Sequence, residues 1–182
     1  MRNSGEDLAL VARCKRELPH QHKAFEQLVT EYKDMVYTLC YRMTGNATDA
    51  EDLLQEILTK LFLSLDKFEG RSAFSSWLYR VAYNHCLSFL SSRRSEYARM
   101  DSLPEGDGLV DSTTDASRQD ETTQAVLASI NADDRALLVM KYVMDLDVKE
   151  ISEILLIGLS ATKMRLARAR NEFKRMFKET QW

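Results

Sequence analysis

Asp49, Asp52 and Glu56 stand three and then four residues apart, with Gln55 beside them. On a helix that spacing makes one stripe of carboxylates. Such a stripe is usually a solvated face. Its alternative use is to dock a cationic partner. At the far end of the chain Lys163, Arg165, Arg168 and Arg170 are interleaved with Met164, Leu166, Ala167 and Ala169. Guanidinium forks suit bidentate contacts to phosphate oxygens and to guanine edges. Neither cluster contains a nucleophile–base pair, a metal-ligand set or a phosphate-cradling loop. An enzyme is therefore the least favoured class, and no cofactor, catalytic residue or metal is expected.

The elements that must carry these groups follow from apolar periodicity. Leu8, Val11 and Ala12 open a first helix that ends before Pro19. His20 and His22 have no third ligand nearby and read as a solvated turn. From about Lys23, Phe25, Leu28, Val29, Tyr32, Met35, Val36, Leu39 and Cys40 recur at helical intervals, and Gly45 or Asn46 is suited to a left-handed cap. Thr48 is expected to cap the third helix, with Glu51 completing a capping box. Leu53, Ile57 and Leu61 form its apolar line, opposite the acids. A loop over 66–72 leads to a fourth helix, Ala73 to Ser92, whose inner face holds Phe74, Trp77, Leu78, Val81, Ala82, Cys86, Phe89 and Leu90.

In the last third, Asn131 caps a helix that ends at Asp145-Leu146-Asp147. Val148–Leu155 is a short helix, Leu156–Leu159 a turn, and Ser160 to about Phe177 a long basic helix. A short helix, a tight turn and a basic helix make a helix-turn-helix. Its second helix would place Ser160, Thr162, Lys163 and Arg165 nearest base edges, and Arg168, Arg170 and Lys174 nearest phosphates.

The 182 residues carry a net charge of −3, which conceals a separation of charge. Met100 to Gln124 holds seven acids against Arg118 alone, a net −6, with Pro104 and little that is apolar. It reads as a flexible acidic linker. Leu156 to Trp182 holds seven bases against Glu172 and Glu179, a net +5. The second number governs the field at a phosphate backbone, because exposed charges are screened beyond about 10 Å. With 45% hydrophobic residues, two prolines and six glycines, the expectation is an all-α protein. It comprises two small helical domains, 1–99 and 121–182, joined by a linker over 100–120, with the second a helix-turn-helix domain. Cys14, Cys40 and Cys86 lack zinc-ligand spacing and read as buried thiols of a cytoplasmic protein. The N-terminus has no apolar signal core, and no run approaches the ~20 apolar residues of a membrane span.

The run Asp49-Ala-Glu-Asp52-Leu-Leu-Gln55-Glu56, then Leu65-Asp66-Lys67-Phe68, then Phe74-Ser-Ser-Trp77-Leu78-Tyr79-Arg80-Val81-Ala82-Tyr83-Asn84, resembles the first domain of bacterial extracytoplasmic-function sigma factors. The Asp147–Arg170 stretch resembles their second. The resemblance implies a factor that binds core RNA polymerase through its β′ and β subunits and directs initiation at particular promoters. Asp49, Asp52, Gln55 and Glu56 would dock on a β′ coiled coil. Phe68, Arg71, Ser72, Arg80, Asn84, Arg93 and Arg94 would meet the −10 element, with the 68–72 loop holding an unstacked base. Ser160, Thr162, Lys163, Arg165, Arg168 and Arg170 would meet the −35 element. An anti-sigma partner is a further implication, frequently a membrane-bound one, while the chain itself would not insert. Trp77 and Phe74 fall on the inner face and are expected in the core.

Two departures from that family stand out. Leu156 occupies the position where the turn commonly has Gly, and Gly158 replaces a Ser or Thr cap. Either the turn differs in detail or the second helix starts nearer Ser160. Ser88 also stands where Asp is frequent. Two rivals remain: a stand-alone regulator that binds DNA without polymerase, and an adaptor that binds polymerase without reading promoters.

Overall fold

A computed structural model describes residues 4–100 and 115–180, with side chains over 5–95 and 119–180. The middle of the expected linker, 101–114, lies outside the described residues. Eight α-helices account for most of the rest. The first four are α1 (Ser4–Glu17), α2 (Lys23–Thr44), α3 (Ala47–Ser64) and α4 (Phe74–Met100). The second four are α5 (Asp115–Ser129), α6 (Ala132–Leu138), α7 (Val148–Leu155) and α8 (Leu159–Glu179). A 3-10 turn, Leu65–Lys67, follows α3, and a π-helical turn, Val139–Val143, follows α6.

Helix α2 is the spine of the first bundle. Its buried stripe of Leu28, Tyr32, Val36, Leu39 and Met43 is met by Leu53, Ile57 and Leu61 of α3. Phe74, Leu78, Ala82 and Cys86 of α4 close the same core. Each fully buried large aliphatic contributes about 1.5–3 kcal/mol from water exclusion, so the three-residue line of α3 alone holds that helix in place. Its acids are forced to the opposite side. Phe68, Phe74 and Trp77 form an aromatic knot with centroids 5.4–5.8 Å apart, and Tyr32 meets Phe74 edge-on at 5.3 Å.

Helix ends follow local hydrogen-bonding chemistry. Gly45, at φ 74°, closes α2 with its N–H on the Tyr41 carbonyl. The cap of α3 is Asn46, not Thr48: the Asn46 side chain accepts the Asp49 N–H at 3.0 Å. The tight Gly45 turn delivers the chain two residues earlier than the Thr48–Glu51 pattern suggests. Helix α4 continues past Ser92 to Met100, and α5 begins at Asp115.

In the second bundle Leu127, Ile130, Leu137, Met140, Leu146, Ile151, Ile154, Leu166 and Ala169 form the core. Asn131 caps α6 as expected, accepting the Asp134 N–H at 3.0 Å. Helix α7 occupies Val148–Leu155, with a capping box between Asp147 and Glu150. The two bundles pack directly against each other, α2 and α4 of the first meeting α5, α6 and α7 of the second. Among the described residues no helix is long and apolar enough to cross a membrane. Cys14, Cys40 and Cys86 are free, buried thiols as expected, with the Cys40 and Cys86 sulfurs 3.8 Å apart.

Candidate nucleic-acid and partner-docking surfaces

Helix α3 turns the acidic stripe outward. Asp52, Gln55 and Glu56 are exposed on the face opposite Leu53 and Ile57. Glu56 lies 2.6 Å from His85 Nε2 of α4. Asp49 is half-buried and pairs with Arg93 near the end of α4. Arg93 also lies 5.7 Å above the Phe89 ring. The structure thus joins Asp49 and Arg93, which the sequence assigns to two separate surfaces.

The side chains expected at the −10 element divide. Arg71 is 85% exposed and pairs with Glu69 at 2.6 Å on the loop after the 3-10 turn. Ser72 is half-buried, while Asn84 and Arg94 are exposed. Phe68 is a correction. It is only 4% exposed, locked between Phe74 and Trp77, so it presents no ring face for a base to stack on. Its position is held from outside by Lys15, whose Nζ donates to the Phe68 carbonyl at 2.6 Å. The Arg80 side chain is spent on the second bundle: Nε donates to the Ile154 carbonyl at 3.0 Å, and a second nitrogen donates to the Glu153 carbonyl. These are end carbonyls of α7, where the helix dipole favours a cation.

Leu156 takes the left-handed conformation, φ 56° and ψ 36°, and its N–H closes α7 on the Ser152 carbonyl. Leucine pays roughly 1–2 kcal/mol for that backbone. Gly158 is extended and caps α8 without a side-chain bond, so α8 starts at Leu159. Of the two alternatives for the turn, the first is not what the structure has, since the left-handed residue is retained with leucine in it; the basic helix begins at Leu159, beside Ser160.

Along α8, Thr162, Leu166 and Ala169 are buried. Thr162 is therefore a second correction. It is fully buried and donates its hydroxyl to the Gly158 carbonyl at 3.1 Å, because it shares the inner stripe with Leu166. Ser160, Lys163, Arg168 and Arg170 are exposed. Arg165 is half-buried: Nε donates to Asp134 Oδ1 at 2.8 Å, and its terminal nitrogen lies 3.7 Å from Asp133 Oδ2. Asp133 also accepts the Tyr83 hydroxyl of α4 at 2.6 Å. Burial, and then this bond, push the Tyr83 pKa upward. Asp133, Asp134, Tyr83 and Gln124 were not singled out in the sequence. The two acids lie in the first turn of α6, and nothing local marks their partners.

The C-terminal bundle also carries a cavity of about 450 Å³ between α5, the π-helical turn and α8. It is walled by Leu127, Leu138, Val139 and Phe173, with Arg170 and Lys174 beside them.

Among the described residues the molecule is helical throughout, with an exposed acidic face on α3 and a basic helix-turn-helix formed by α7 and α8. Residues 28–96 match the family described as sigma-70 region 2, and residues 121–173 the family described as sigma-70, region 4. The chain is 29% identical to the ECF RNA polymerase sigma factor SigW of Bacillus subtilis, over 95% of this chain and 99% of that protein. It is 29% identical to the ECF RNA polymerase sigma-E factor of Escherichia coli, over 90% of each. It is 32% identical to SigE of Mycolicibacterium smegmatis over 83% of this chain and 60% of that protein.

Among solved structures, the sigma factor RpoE in complex with the anti-sigma factor NepR from Bartonella quintana superposes with a TM-score of 0.71. The identity is 22%, over 86% of this chain and 98% of that one. CnrH in complex with the cytosolic domain of CnrY gives 0.69 at 20% identity, over 97% and 99%. The chain belongs to the extracytoplasmic-function group of sigma-70 factors: it binds core RNA polymerase and directs it to initiate at specific promoters.

Proposed function

We propose that Asp52, Gln55 and Glu56, with Asp49 at the edge of the stripe, are the groups that dock on the β′ coiled coil of core polymerase. The observation that carries this reading is the geometry of α3. Its apolar line is completely buried, which leaves Asp52, Gln55 and Glu56 together in solvent. Arg71, Ser72, Arg80, Asn84, Arg93 and Arg94 then serve the −10 element. Ser160, Lys163, Arg165, Arg168 and Arg170 serve the −35 element. Extruding a −10 base costs a few kcal/mol, recovered by stacking and edge contacts. With Phe68 in the core, the polar groups of the 69–72 loop are left to make edge contacts.

The protein acts in the cytoplasm, performs no catalysis of its own and is restrained by an anti-sigma partner. Support for the partner comes from the RpoE structure above, which pairs this fold with the anti-sigma factor NepR, from CnrH, solved with the cytosolic domain of CnrY, and from the apolar cavity beside α8. Reconstitution with core polymerase tests the docking assignment. Asp52→Lys combined with Glu56→Lys should weaken association with core polymerase at least tenfold while leaving the melting curve intact. Unchanged affinity in that double variant refutes the assignment. Start-site selection by the wild-type chain also separates this reading from a stand-alone regulator, which would bind its DNA tightly without polymerase.

A further inference from the structure

Helix α8 has an outermost line as well as a buried one. Successive helical residues turn by about 100°, so a residue two positions before a buried one points almost directly away from the core. Thr162, Leu166 and Ala169 are buried, and half-buried Phe173 continues their stripe. Ser160, Met164, Ala167 and Asn171 each precede one of these by two, and all four are exposed. They form the crest of the helix. Lys163 and Arg170 lie along one flank of that crest, Arg165 and Arg168 along the other.

Charge therefore runs beside the crest and not on it. A helix laid in a major groove meets phosphates with its flanks and base pairs with its crest. The N-terminal half of this crest is Ser160 and then Met164, whose side chain is 66% exposed. A single apolar residue on a surface is ordinary. This one stands at the pole of α8, while the other large apolar side chains beyond its first turn, Leu166, Phe173, Met176 and Phe177, are buried or half-buried. A thioether is at best a weak hydrogen-bond acceptor, so Met164 cannot read a base by the donors and acceptors of its edge. It offers a flexible, polarizable apolar surface. In the major groove the apolar group that a base pair presents is the C5-methyl of thymine.

We infer that Met164 is a specificity-determining residue for the −35 element, and that it selects a T·A pair by covering the thymine methyl. The cationic flanks fix the register of the helix on the duplex. The crest methionine then adds a preference that no charge supplies. This inference rests on the assignment of α8 to the −35 element.

The test uses core polymerase reconstituted with the full-length chain, on a promoter that the wild-type holoenzyme selects from a genomic fragment library. Each thymine of the −35 element, on either strand, is replaced in turn by deoxyuridine. That exchange keeps the base pair and its hydrogen-bonding edges and removes only the methyl. The readout is the half-saturating duplex concentration, compared for wild type and Met164→Ala at fixed salt. Alanine is the strongest helix former and the position is exposed, so the variant keeps the fold. At one thymine the exchange should weaken wild-type binding about fourfold, the worth of one methyl-sized group taken out of water. Met164→Ala should not respond to the exchange at that thymine, and should bind the thymine duplex as weakly as wild type binds the uracil one.

A −35 element without thymine overturns the inference. So does a series in which every exchange affects wild type and Met164→Ala alike, because the methionine then touches the DNA backbone or polymerase and no methyl. A duplex with a scrambled −35 element tests the premise separately. Wild-type holoenzyme that binds it as tightly as the intact promoter refutes the placement of α8 on that element. Preference for the intact element, with no methyl effect that depends on Met164, keeps the placement and overturns only the role of Met164.

Discussion

Arg135 offers the sharpest test of how the bundles are built. It is only 7% exposed, and its guanidinium serves three carbonyls from two directions. It donates to Met43 at the end of α2, to Ala128 at 2.7 Å and to Ile130 at 3.2 Å. Burial pulls its pKa below the ordinary guanidinium value, so part of the gain is spent on desolvation. Each bond from a charged donor contributes about 1.5–3 kcal/mol before that offset. Arg135→Ala removes all three and leaves the buried Met43 and Ile130 carbonyls without this donor. The expected loss is about 3 kcal/mol. For a chain of this size that lowers the melting temperature by about 6–12 °C. Thermal unfolding followed by circular dichroism, with urea titration as a check, measures it. Arg135→Lys should recover little, since one ammonium cannot span carbonyls that a planar fork bridges. A loss under about 1 kcal/mol in Arg135→Ala, or full rescue by lysine, would refute the reasoning.

Three further outcomes are expected. Arg165→Ala should lower initiation at a promoter with a −35 element by roughly 5- to 150-fold, the equivalent of 1–3 kcal/mol; a change under twofold in run-off transcription would remove Arg165 from that role. Leu156→Gly should melt about 1–4 °C above Leu156→Ala, because glycine relieves the left-handed strain and alanine keeps it. Equal melting temperatures for the two variants would show that the turn is unstrained. Stability should fall as pH rises from about 9 to 11. Burial raises the pKa of Tyr83 and pushes Tyr79 to about 12 and Cys14 to about 11. Groups raised in the fold favour it below their unfolded pKa and lose that advantage as pH climbs toward the folded value. Tyr83→Phe should flatten the decline in a melting series, and an unchanged slope would exclude Tyr83 as a contributor.

The first four helices, the acidic stripe and the helix-turn-helix were legible in the chain because each rests on periodicity. Leu53, Ile57 and Leu61 recur at the spacing that buries one face, and the opposing position of Asp52 and Glu56 follows with no tertiary information. Helix α7 could be bounded to the residue, since Asp147, Glu150 and the turn after Leu155 are local chemistry. Local signals also misled. Thr48 has the composition of a cap, yet Asn46 takes that place because the preceding glycine turn sets where the helix begins. Phe68 and Thr162 had the residue types of DNA contacts, but which face they share is settled by packing against Phe74, Trp77 and the stripe of Leu166.

Sequence alone therefore determined what each helix can do: its apolar side and its charged side. Tertiary structure alone decided which charges are spent inside the molecule. Arg80 on Ile154, Tyr83 on Asp133 and Arg135 on Met43 join residues 74, 50 and 92 positions apart. Pairing at that separation depends on where two bundles come to rest, and helical periodicity carries no information about it.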